Sequence, residues 1–225
     1  MRPLAIACLL SAFGATTAHA GVALQPVEVS TSAGWVFDVE HLIDQTGLNT
    51  TYVSGVDDFD AFVSTKPSAV HCFGDCVWAT QNTHSATLDF DLGTLASVES
   101  LALWNLGADD PSSLKTFELV LSRDAGFSDA TSVGTFTAAN DLGDSFTTFV
   151  QVFDFEPTFA AYARINVIES WSPDSFGVGF NEVVFNATPV PEPSTFALTG
   201  TALLLGAVVR RKYGKGQRRT LPAAA

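Results

Sequence analysis

Short segments in which apolar and polar residues alternate recur between residues 21 and 190, and they constrain the fold more than any other feature of the chain. In 88–93, Leu and Phe alternate with Asp until the segment stops at Gly, and 117–122 alternates in the same way. Alternation places the apolar residues on one face of a β-strand, and no helical period appears in this region. Turn-forming residues separate the segments, as in 107–111 and 140–143. The pattern predicts an all-β fold, an antiparallel β-sandwich or jelly roll of roughly eight short strands.

The charges are distributed unevenly along the chain. Its 24 Asp and Glu outnumber its 11 Lys and Arg, for a formal net charge of −13. Six of the bases lie between Arg210 and Arg219, so residues 21–190 hold 23 acids and four bases, a formal charge of −19. Phosphate contacts and anionic membrane surfaces both require clustered basic residues. We therefore expect no nucleic-acid partner and no docking on anionic lipid, and the charge favours divalent cations and neutral sugars.

The first twenty residues have the order of a secretory signal peptide. Arg2 precedes an apolar run, Leu4–Phe13, and the small-x-small sequence Ala18-His19-Ala20 follows it. We predict that residues 1–20 are a signal peptide and that the mature chain begins at Gly21. An exported chain of this kind meets an oxidising compartment.

A second targeting signal is predicted at the C-terminus, over residues 189–225. Pro189–Pro193 is extended, because proline fixes φ and cannot donate a backbone hydrogen bond. A run without charges follows at 194–209, and then the basic cluster Arg210–Lys212. This order predicts a hydrophobic helix that stops in the membrane with its basic end in the cytoplasm. At about 1.5 Å per residue it spans roughly 24 Å of a hydrocarbon core of about 30 Å, which favours transient membrane insertion.

The string Val190–Thr195, the apolar run and the basic cluster together resemble the PEP-CTERM sorting signal of Gram-negative bacteria. The sorting motif is formed by Pro191, Glu192 and Pro193. The resemblance implies export across the inner membrane, anchoring in that membrane, and cleavage near the motif by an exosortase. Delivery to the cell surface or to the extracellular polysaccharide matrix would follow. The alternative is a single-pass membrane anchor that is retained.

Two cysteines remain once Cys8 leaves with the signal peptide. Cys72 and Cys76 are close in sequence, and a lone near pair in an oxidising compartment predicts a disulfide. Such a bond stiffens a small loop rather than holding the fold together. The alternative is a zinc site formed by His71, Cys72, Cys76 and His84. Zinc ligands usually come in close-spaced pairs, and these histidines are dispersed.

Six segments resemble, in the same order, those of discoidin domains, the galactose-binding-like jelly rolls also called coagulation-factor type C domains. They are 42–44, 50–52, 88–93, 117–124, 161–165 and 180–185. The resemblance implies a discoidin-like jelly-roll domain over residues 21–188. The chain departs from the family pattern at Gln45, where the family has Gly, and at Tyr52, where it has Trp.

Glu182 is the most informative single residue, because it lies on a predicted strand that is apolar on both faces. A buried carboxylate requires a partner or a metal ion. In many discoidin-like carbohydrate-binding modules a structural calcium ion links the opening loop to this glutamate. The resemblance implies Asp44, Asn49, Thr50 and Glu182 as its ligands. The alternatives are an ion pair of Glu182 with Arg164, or exposure of Glu182 at a bulge.

Aromatic side chains outside the predicted strands are candidates for carbohydrate binding, because the apolar face of a sugar packs on a ring while polar groups bind its hydroxyls. Trp78 and Trp171 fall in such positions, and Phe73 lies inside the cysteine loop close to His71. A neutral polysaccharide is the expected ligand, since Lys66 is the one basic residue of the aromatic region. The alternative is that these rings belong to the core.

The sequence gives no support for catalysis. It contains no Gly-x-Ser-x-Gly, no His-Glu-x-x-His and no phosphate-binding loop. The acidic cluster 57–60 lacks the Gly and the terminal Glu of a helix-loop-helix calcium site, so it is interpreted as a solvated loop. We therefore expect a non-catalytic surface or matrix protein that binds carbohydrate. The alternative is a structural protein of the matrix or envelope without a small-molecule ligand.

Processing at both ends has a direct test by mass spectrometry of the mature protein isolated from producing cells. We expect no peptide before Gly21 and none beyond about Thr195. Peptides from 196–225 in the mature protein would contradict cleavage near the sorting motif and favour the retained anchor.

Overall fold

The computed structural model describes residues 21–72 and 74–190, and the side chains of Trp35 and Val36 are not among its described parts. The predicted signal peptide, Phe73, the sorting motif and the hydrophobic helix 194–209 lie outside the described residues. Within the described part of the chain, no helix is both long enough and apolar enough to cross a membrane.

The described residues form thirteen strands and two short helical elements. The strands are β1 (Val22–Leu24), β2 (Glu28–Thr31), β3 (Trp35–Phe37), β4 (Ser68–Val70), β5 (Trp78–Thr80), β6 (Ala86–Trp104), β7 (Leu114–Ser122), β8 (Thr131–Thr137), β9 (Gly143–Asp144), β10 (Thr147–Phe149), β11 (Gln151–Ser170), β12 (Gly179–Phe180) and β13 (Glu182–Pro189). The helical elements are a 3₁₀ turn (Val39–Leu42) and the helix α1 (Phe59–Ser64). The paired strands run antiparallel throughout, which confirms the predicted all-β class.

A seven-stranded sheet is the main sheet of the domain. Its strand order is β1-β13-β6-β11-β7-β8, and β2 pairs with the first part of β6. Two three-stranded sheets accompany it, with the orders β4-β10-β9 and β12-β5-β3. Strands far apart in sequence are therefore neighbours in the main sheet, as in a sandwich with long connections.

Two very long strands replace several of the short strands that the sequence predicts. β6 has 19 residues and β11 has 20, and they extend well beyond the predicted segments 88–93 and 161–165 that they contain. Gly93, predicted as the end of a strand, lies instead inside β6 with φ of 72°, a left-handed conformation that glycine adopts without strain. The pairing with β11 shifts register here, between the pair Ala160–Ala96 and the pair Tyr162–Asp91. This register shift is a β-bulge, at which β6 bends. β6 is paired with β11 both before and after the bulge, so it continues as one strand.

Apolar side chains pack on both faces of the main sheet at its centre. On one face, Trp78 of β5 contacts Phe180 of β12 edge to face, with ring centroids 5.5 Å apart. On the other face, Phe62 of α1 lies 6.1 Å from Trp104, between ring centroids. Because successive side chains of a strand point to opposite faces, the first six residues of β13 are all buried. This agrees with the expectation that the last strand is covered on both faces.

The acidic cluster 57–60 was predicted to be a solvated loop, and this prediction is wrong because the cluster begins the helix α1. Asp58 is the N-cap of α1, and its carboxylate accepts a hydrogen bond from the Ala61 N–H at 2.7 Å. The Asp57 carboxylate accepts one from the Val53 N–H at 2.7 Å. Phe59 is buried and anchors the helix. Aspartate is a favoured N-cap, so the cluster starts a helix that is too short to show a period in the sequence.

Phe117 is expected to be a major contributor to the stability of the core. Its ring is fully buried and lies 5.1 Å from Phe153 and 5.5 Å from Phe136, between centroids. Phe117→Ala should lower the free energy of unfolding of the full chain by about 3–5 kcal/mol, measured by chemical denaturation. The matched control is Phe159→Ala on β11, where the ring is 59% exposed and the change should stay within about 0.5 kcal/mol. Equal losses in the two variants would contradict the assignment of the core.

Candidate functional site

Four loops meet at one end of the sandwich, and two of them directly follow the last residues of β6 and β11. They are the β4–β5 loop (71–77, without Phe73), the β6–β7 loop (105–113), the segment 138–146 and the β11–β12 loop (171–178). Backbone hydrogen bonds of 2.7–3.0 Å connect them, donated by His71 to Phe146, by Ala108 to Asp144 and by Trp171 to Ser113. The loops therefore form one continuous surface at this end.

Asn105 is buried beneath this surface and holds its loops together through hydrogen bonds. The sequence analysis did not predict this role. Its side-chain amide donates to the carbonyls of Leu114 at 2.8 Å and Ala139 at 2.9 Å. Its side-chain oxygen accepts the Leu114 N–H at 2.9 Å, and its backbone carbonyl accepts from the Asn181 side chain. A buried amide is stable only when its hydrogen bonds are made. The available signal was a polar residue placed directly after the apolar run that ends at Trp104.

A cavity of about 300 Å³ opens between these loops and contains the predicted ligand-binding residue His71. Its lining includes Phe37, His71, Leu106, Asp110, Ser112 and Phe176. Nδ1 of His71 lies 3.6 Å from a carboxylate oxygen of Asp110. Burial lowers the pKa of His71, and the Asp110 carboxylate opposes that shift. The cavity combines aromatic rings with a few polar groups, an arrangement that is typical of small-molecule sites.

The predicted disulfide between Cys72 and Cys76 is formed, and it closes the loop that follows His71. The two Cα atoms are 5.7 Å apart. The zinc alternative is not assembled, because His84 is hydrogen-bonded to Ser170 Oγ at 2.9 Å. In residues 21–72 and 74–190 there is no group of three or more His, Cys, Asp or Glu that could hold a metal ion.

The three tryptophans whose side chains are described differ in their exposure, and the prediction for Trp78 is wrong. Trp78 is fully buried in β5, so its ring cannot contact a ligand at the surface. Trp104 is also buried, and its indole N–H donates to the Pro67 carbonyl at 2.9 Å. The sequence placed Trp78 outside the strands because β5 has three residues, too few to show alternation. Trp35 lies in β3, and its side chain is not described.

Trp171 is partly exposed, with 37% of its surface accessible, unlike Trp78 and Trp104. Its indole N–H donates to the Ala138 carbonyl at 3.0 Å, and Nζ of Lys115 lies 5.5 Å from its ring centroid. It lines a shallow depression with residues 137–141, separate from the cavity that contains His71. The structure therefore does not bring Trp171 and His71 into one site, although both lie at the same end of the sandwich.

Glu182 is fully buried at the start of β13, on the sheet face shared with Trp104. One carboxylate oxygen accepts the Gln45 N–H at 2.9 Å, and the other has no hydrogen-bond partner within the described residues. Burial raises the pKa of Glu182 well above its ordinary value of 4.5, and the nearby Asp44 carboxylate raises it further. Arg164 is not its partner, since that guanidinium binds Asp89 at 2.6 and 2.8 Å.

The other three predicted calcium ligands are exposed on the opening loop. The Asp44 carboxylate accepts the Thr46 N–H at 2.7 Å and lies 2.9 Å from Nδ1 of His41. The side-chain oxygen of Asn49 accepts the Ser68 N–H at 2.9 Å. Carboxylate and amide oxygens of this kind are the donors that calcium prefers. One oxygen of Glu182 has no hydrogen-bond partner among the described residues, and Asp44 is close enough for the two carboxylates to interact electrostatically. These oxygens are suitable ligands for a cation between the opening loop and β13.

Gln45 occupies the position where discoidin domains have glycine. The backbone conformation at this position is one that favours glycine. Its φ is 60°, in the left-handed region that favours glycine. Its side-chain amide donates to Gln25 at 2.7 Å, and its side-chain oxygen accepts the Tyr52 N–H at 3.0 Å. These bonds offset the strain of a non-glycine residue here. The Tyr52 ring is buried nearby, and burial together with the Glu182 carboxylate raises the pKa of its hydroxyl.

Residues 189–212 match the family model described as the PEP-CTERM protein-sorting motif. The match confirms the sorting signal predicted for the C-terminal segment, and it marks the chain as an exported protein that is anchored in a membrane before processing. No curated protein matches the chain in sequence.

Several solved structures are similar to the chain at low sequence identity. The C-terminal domain of a chitobiase from Bacteroides fragilis has 12% identity and a TM-score of 0.47, over 75% of this chain and 99% of that one. A carbohydrate-binding module from Clostridium perfringens, solved with GalNAc-β-1,3-galactose, has 12% identity and a TM-score of 0.48, over 71% and 94%. The family 32 module of C. perfringens NanJ, solved with galactose, has 14% and 0.47, over 73% and 97%. The all-β assignment rests on the antiparallel strand pairing of the chain itself.

Proposed function

We propose that this exported chain is processed by an exosortase, is delivered to the cell surface or extracellular matrix, and there binds a neutral carbohydrate without catalysis. The observation that carries the binding part is the cavity between the four loops, in which His71 lies with aromatic and polar side chains. The observation that supports the sorting part is the match at residues 189–212.

The chemistry of the cavity suits one sugar ring. The rings of Phe37 and Phe176 offer apolar surface to the C–H face of a sugar, and burial of that surface favours binding. Asp110 and Ser112 offer hydrogen bonds to hydroxyl groups. Asp110 is the charged carboxylate of the lining, so an acidic sugar would be repelled.

The polar groups of the cavity are placed to bind hydroxyl groups. Nδ1 of His71 lies 3.6 Å from a carboxylate oxygen of Asp110, so a ligand hydroxyl that enters between them can hydrogen-bond to both.

A glycan array and calorimetry with the full chain test this proposal. Wild-type protein should bind at least one neutral oligosaccharide, and Phe176→Ala and His71→Ala should each weaken that binding about tenfold through lost ring contact and a lost hydrogen bond. Phe176 is 54% exposed, so its replacement should leave the melting midpoint nearly unchanged.

The matched control is Phe159→Ala, which removes an equally exposed ring from β11 outside the loop end. It should bind the oligosaccharide as the wild type does. If the wild-type protein binds no polysaccharide, including that of the producing cell, the carbohydrate proposal is wrong and the purely structural alternative is favoured.

The buried Glu182 at the start of β13 supports a second part of the proposal, a structural calcium ion held by Asp44, Asn49, Thr50 and Glu182. The unpartnered oxygen of Glu182 is the observation that favours it. A calcium ion there would neutralise two carboxylates and tie the opening loop to β13. Its role is stability of the loop, and no step of binding or chemistry depends on it.

Melting the full chain at two pH values, with calcium or with chelator, tests this ion. In chelator the native Glu182 holds its proton more tightly than the unfolded chain does, so its contribution to the free energy of unfolding is largest below pH 4.5 and falls as pH rises. Measured against Glu182→Gln, which lacks this group, the wild type should therefore lose stability between about pH 5 and about pH 8, and calcium at about hundredfold excess over Kd should restore about 2.7 kcal/mol at pH 8. Calcium should leave the melting midpoint of Glu182→Gln unchanged. A wild-type midpoint that calcium leaves unchanged at pH 8 would remove the ion from the proposal.

A further inference from the structure

A groove of about 280 Å³ lies on the main sheet, apart from the cavity at the loop end. It is bounded by β2, β6, β11 and the segment 123–129 that follows β7. The residues that matter for its chemistry are Glu28, Ser30, Asp89, Asp91, Phe127 and Tyr162. None of them belongs to the sites described above.

The sheet register determines which of these side chains are neighbours. Glu28 of β2 pairs directly with Asp91 of β6, and Asp91 pairs with Tyr162 of β11 on its other side. In the adjacent row, Ser30 pairs with Asp89. Directly paired residues point to the same face of a sheet, so a phenol, a hydroxyl and three carboxylates share this face.

A second aromatic ring is held at the groove by an unusual backbone. Phe127 has φ of 54°, a conformation that is rare for an aromatic residue, and its N–H donates to the Asp124 carbonyl at 2.9 Å. The Arg164 guanidinium lies 3.9 Å from the Phe127 ring centroid. The same guanidinium binds both oxygens of Asp89. One arginine thus fixes two residues of the groove, a ring and a carboxylate.

The charges of the groove are not balanced within the described residues. Arg164 neutralises Asp89, whereas Glu28 and Asp91 face each other as a direct cross-strand pair of like charge, which is destabilising. Asp91 accepts the Gly93 N–H at 2.7 Å, and no described cation pairs with either carboxylate. A ligand that places a positive charge between Glu28 and Asp91 would remove this repulsion.

We propose that this groove binds a glucosamine-type residue of a cationic amino-sugar polysaccharide. The Tyr162 ring and the part of the Phe127 ring that Arg164 leaves uncovered supply the apolar surface on which a sugar packs, and the two uncompensated carboxylates receive its ammonium group through charge-assisted hydrogen bonds. A bare metal ion would use the carboxylates and leave the rings without a role. The site is independent of the neutral-carbohydrate cavity at the loop end and differs from it in the charge of its ligand.

Calorimetry with the full chain at low salt compares a glucosamine tetramer with the N-acetylglucosamine tetramer of the same length. The glucosamine tetramer should bind, and the acetylated one should bind at least about tenfold more weakly, because acetylation removes the positive charge. Tyr162→Ala and Glu28→Gln should each weaken glucosamine binding about tenfold. Glu28→Gln also relieves the like-charge pair, so its melting midpoint without ligand should not fall.

Two control variants distinguish binding in this groove from binding elsewhere on the domain. Glu156→Gln removes an exposed carboxylate from β11 outside the groove and should leave glucosamine affinity unchanged. His71→Ala should also leave it unchanged, so failure of the neutral-carbohydrate proposal and failure of this one give different results. Equal binding of both tetramers, or an unchanged affinity of Tyr162→Ala, would overturn the assignment. Binding of a lysine tetramer as tightly as the glucosamine tetramer would overturn it as well, because the groove would then recognise charge without a sugar.

Discussion

The antiparallel pairing of β6 with β11 is the interaction on which the rest of the structure depends. These two strands form the centre of the main sheet, and their ladder runs from Ala86 to Leu103 on one strand and from Gln151 to Val167 on the other. Each further strand of the sheet lies beside one of them or beside their neighbours. The loops that directly follow these two strands contribute to the His71 cavity. The groove of Asp89 and Tyr162 lies on the first part of β6 and the part of β11 that pairs with it, so both proposed binding surfaces derive their geometry from one ladder.

Burial of the Glu182 carboxylate beside the opening loop is the second constraint on the structure. Glu182 is placed inside the fold because β13 is covered on both faces, and its first position has no access to water. The fold satisfies one oxygen by the Gln45 N–H and leaves the other without a described partner. Burying a carboxylate in this way costs free energy unless a proton or a cation accompanies it. The opening loop and the last strand are therefore coupled to pH and, under the proposal above, to calcium.

The strands with regular alternation were predictable, and the exceptions have physical reasons. The segments 88–93 and 117–122 lie in strands as expected, because alternation alone defines a half-buried strand. The short strand with Trp78 was missed, since three residues show no period and nothing local indicates that the ring is buried. The helix that begins at Phe59 was missed for the same reason. The expected strand end at Gly93 was wrong, because a glycine at positive φ marks a turn and a bulge equally well.

The sequence by itself determined the all-β class, the disulfide between Cys72 and Cys76, the sorting signal, and the burial of Glu182 on a strand apolar on both faces. These follow from local composition, spacing and order, which require no knowledge of distant contacts. Only the tertiary structure decided that Glu28 opposes Asp91, that Arg164 binds Asp89, and that Trp171 lies apart from His71. Such relations join residues from separate strands and loops, and strand register and loop packing, which no local pattern encodes, determine which of them meet.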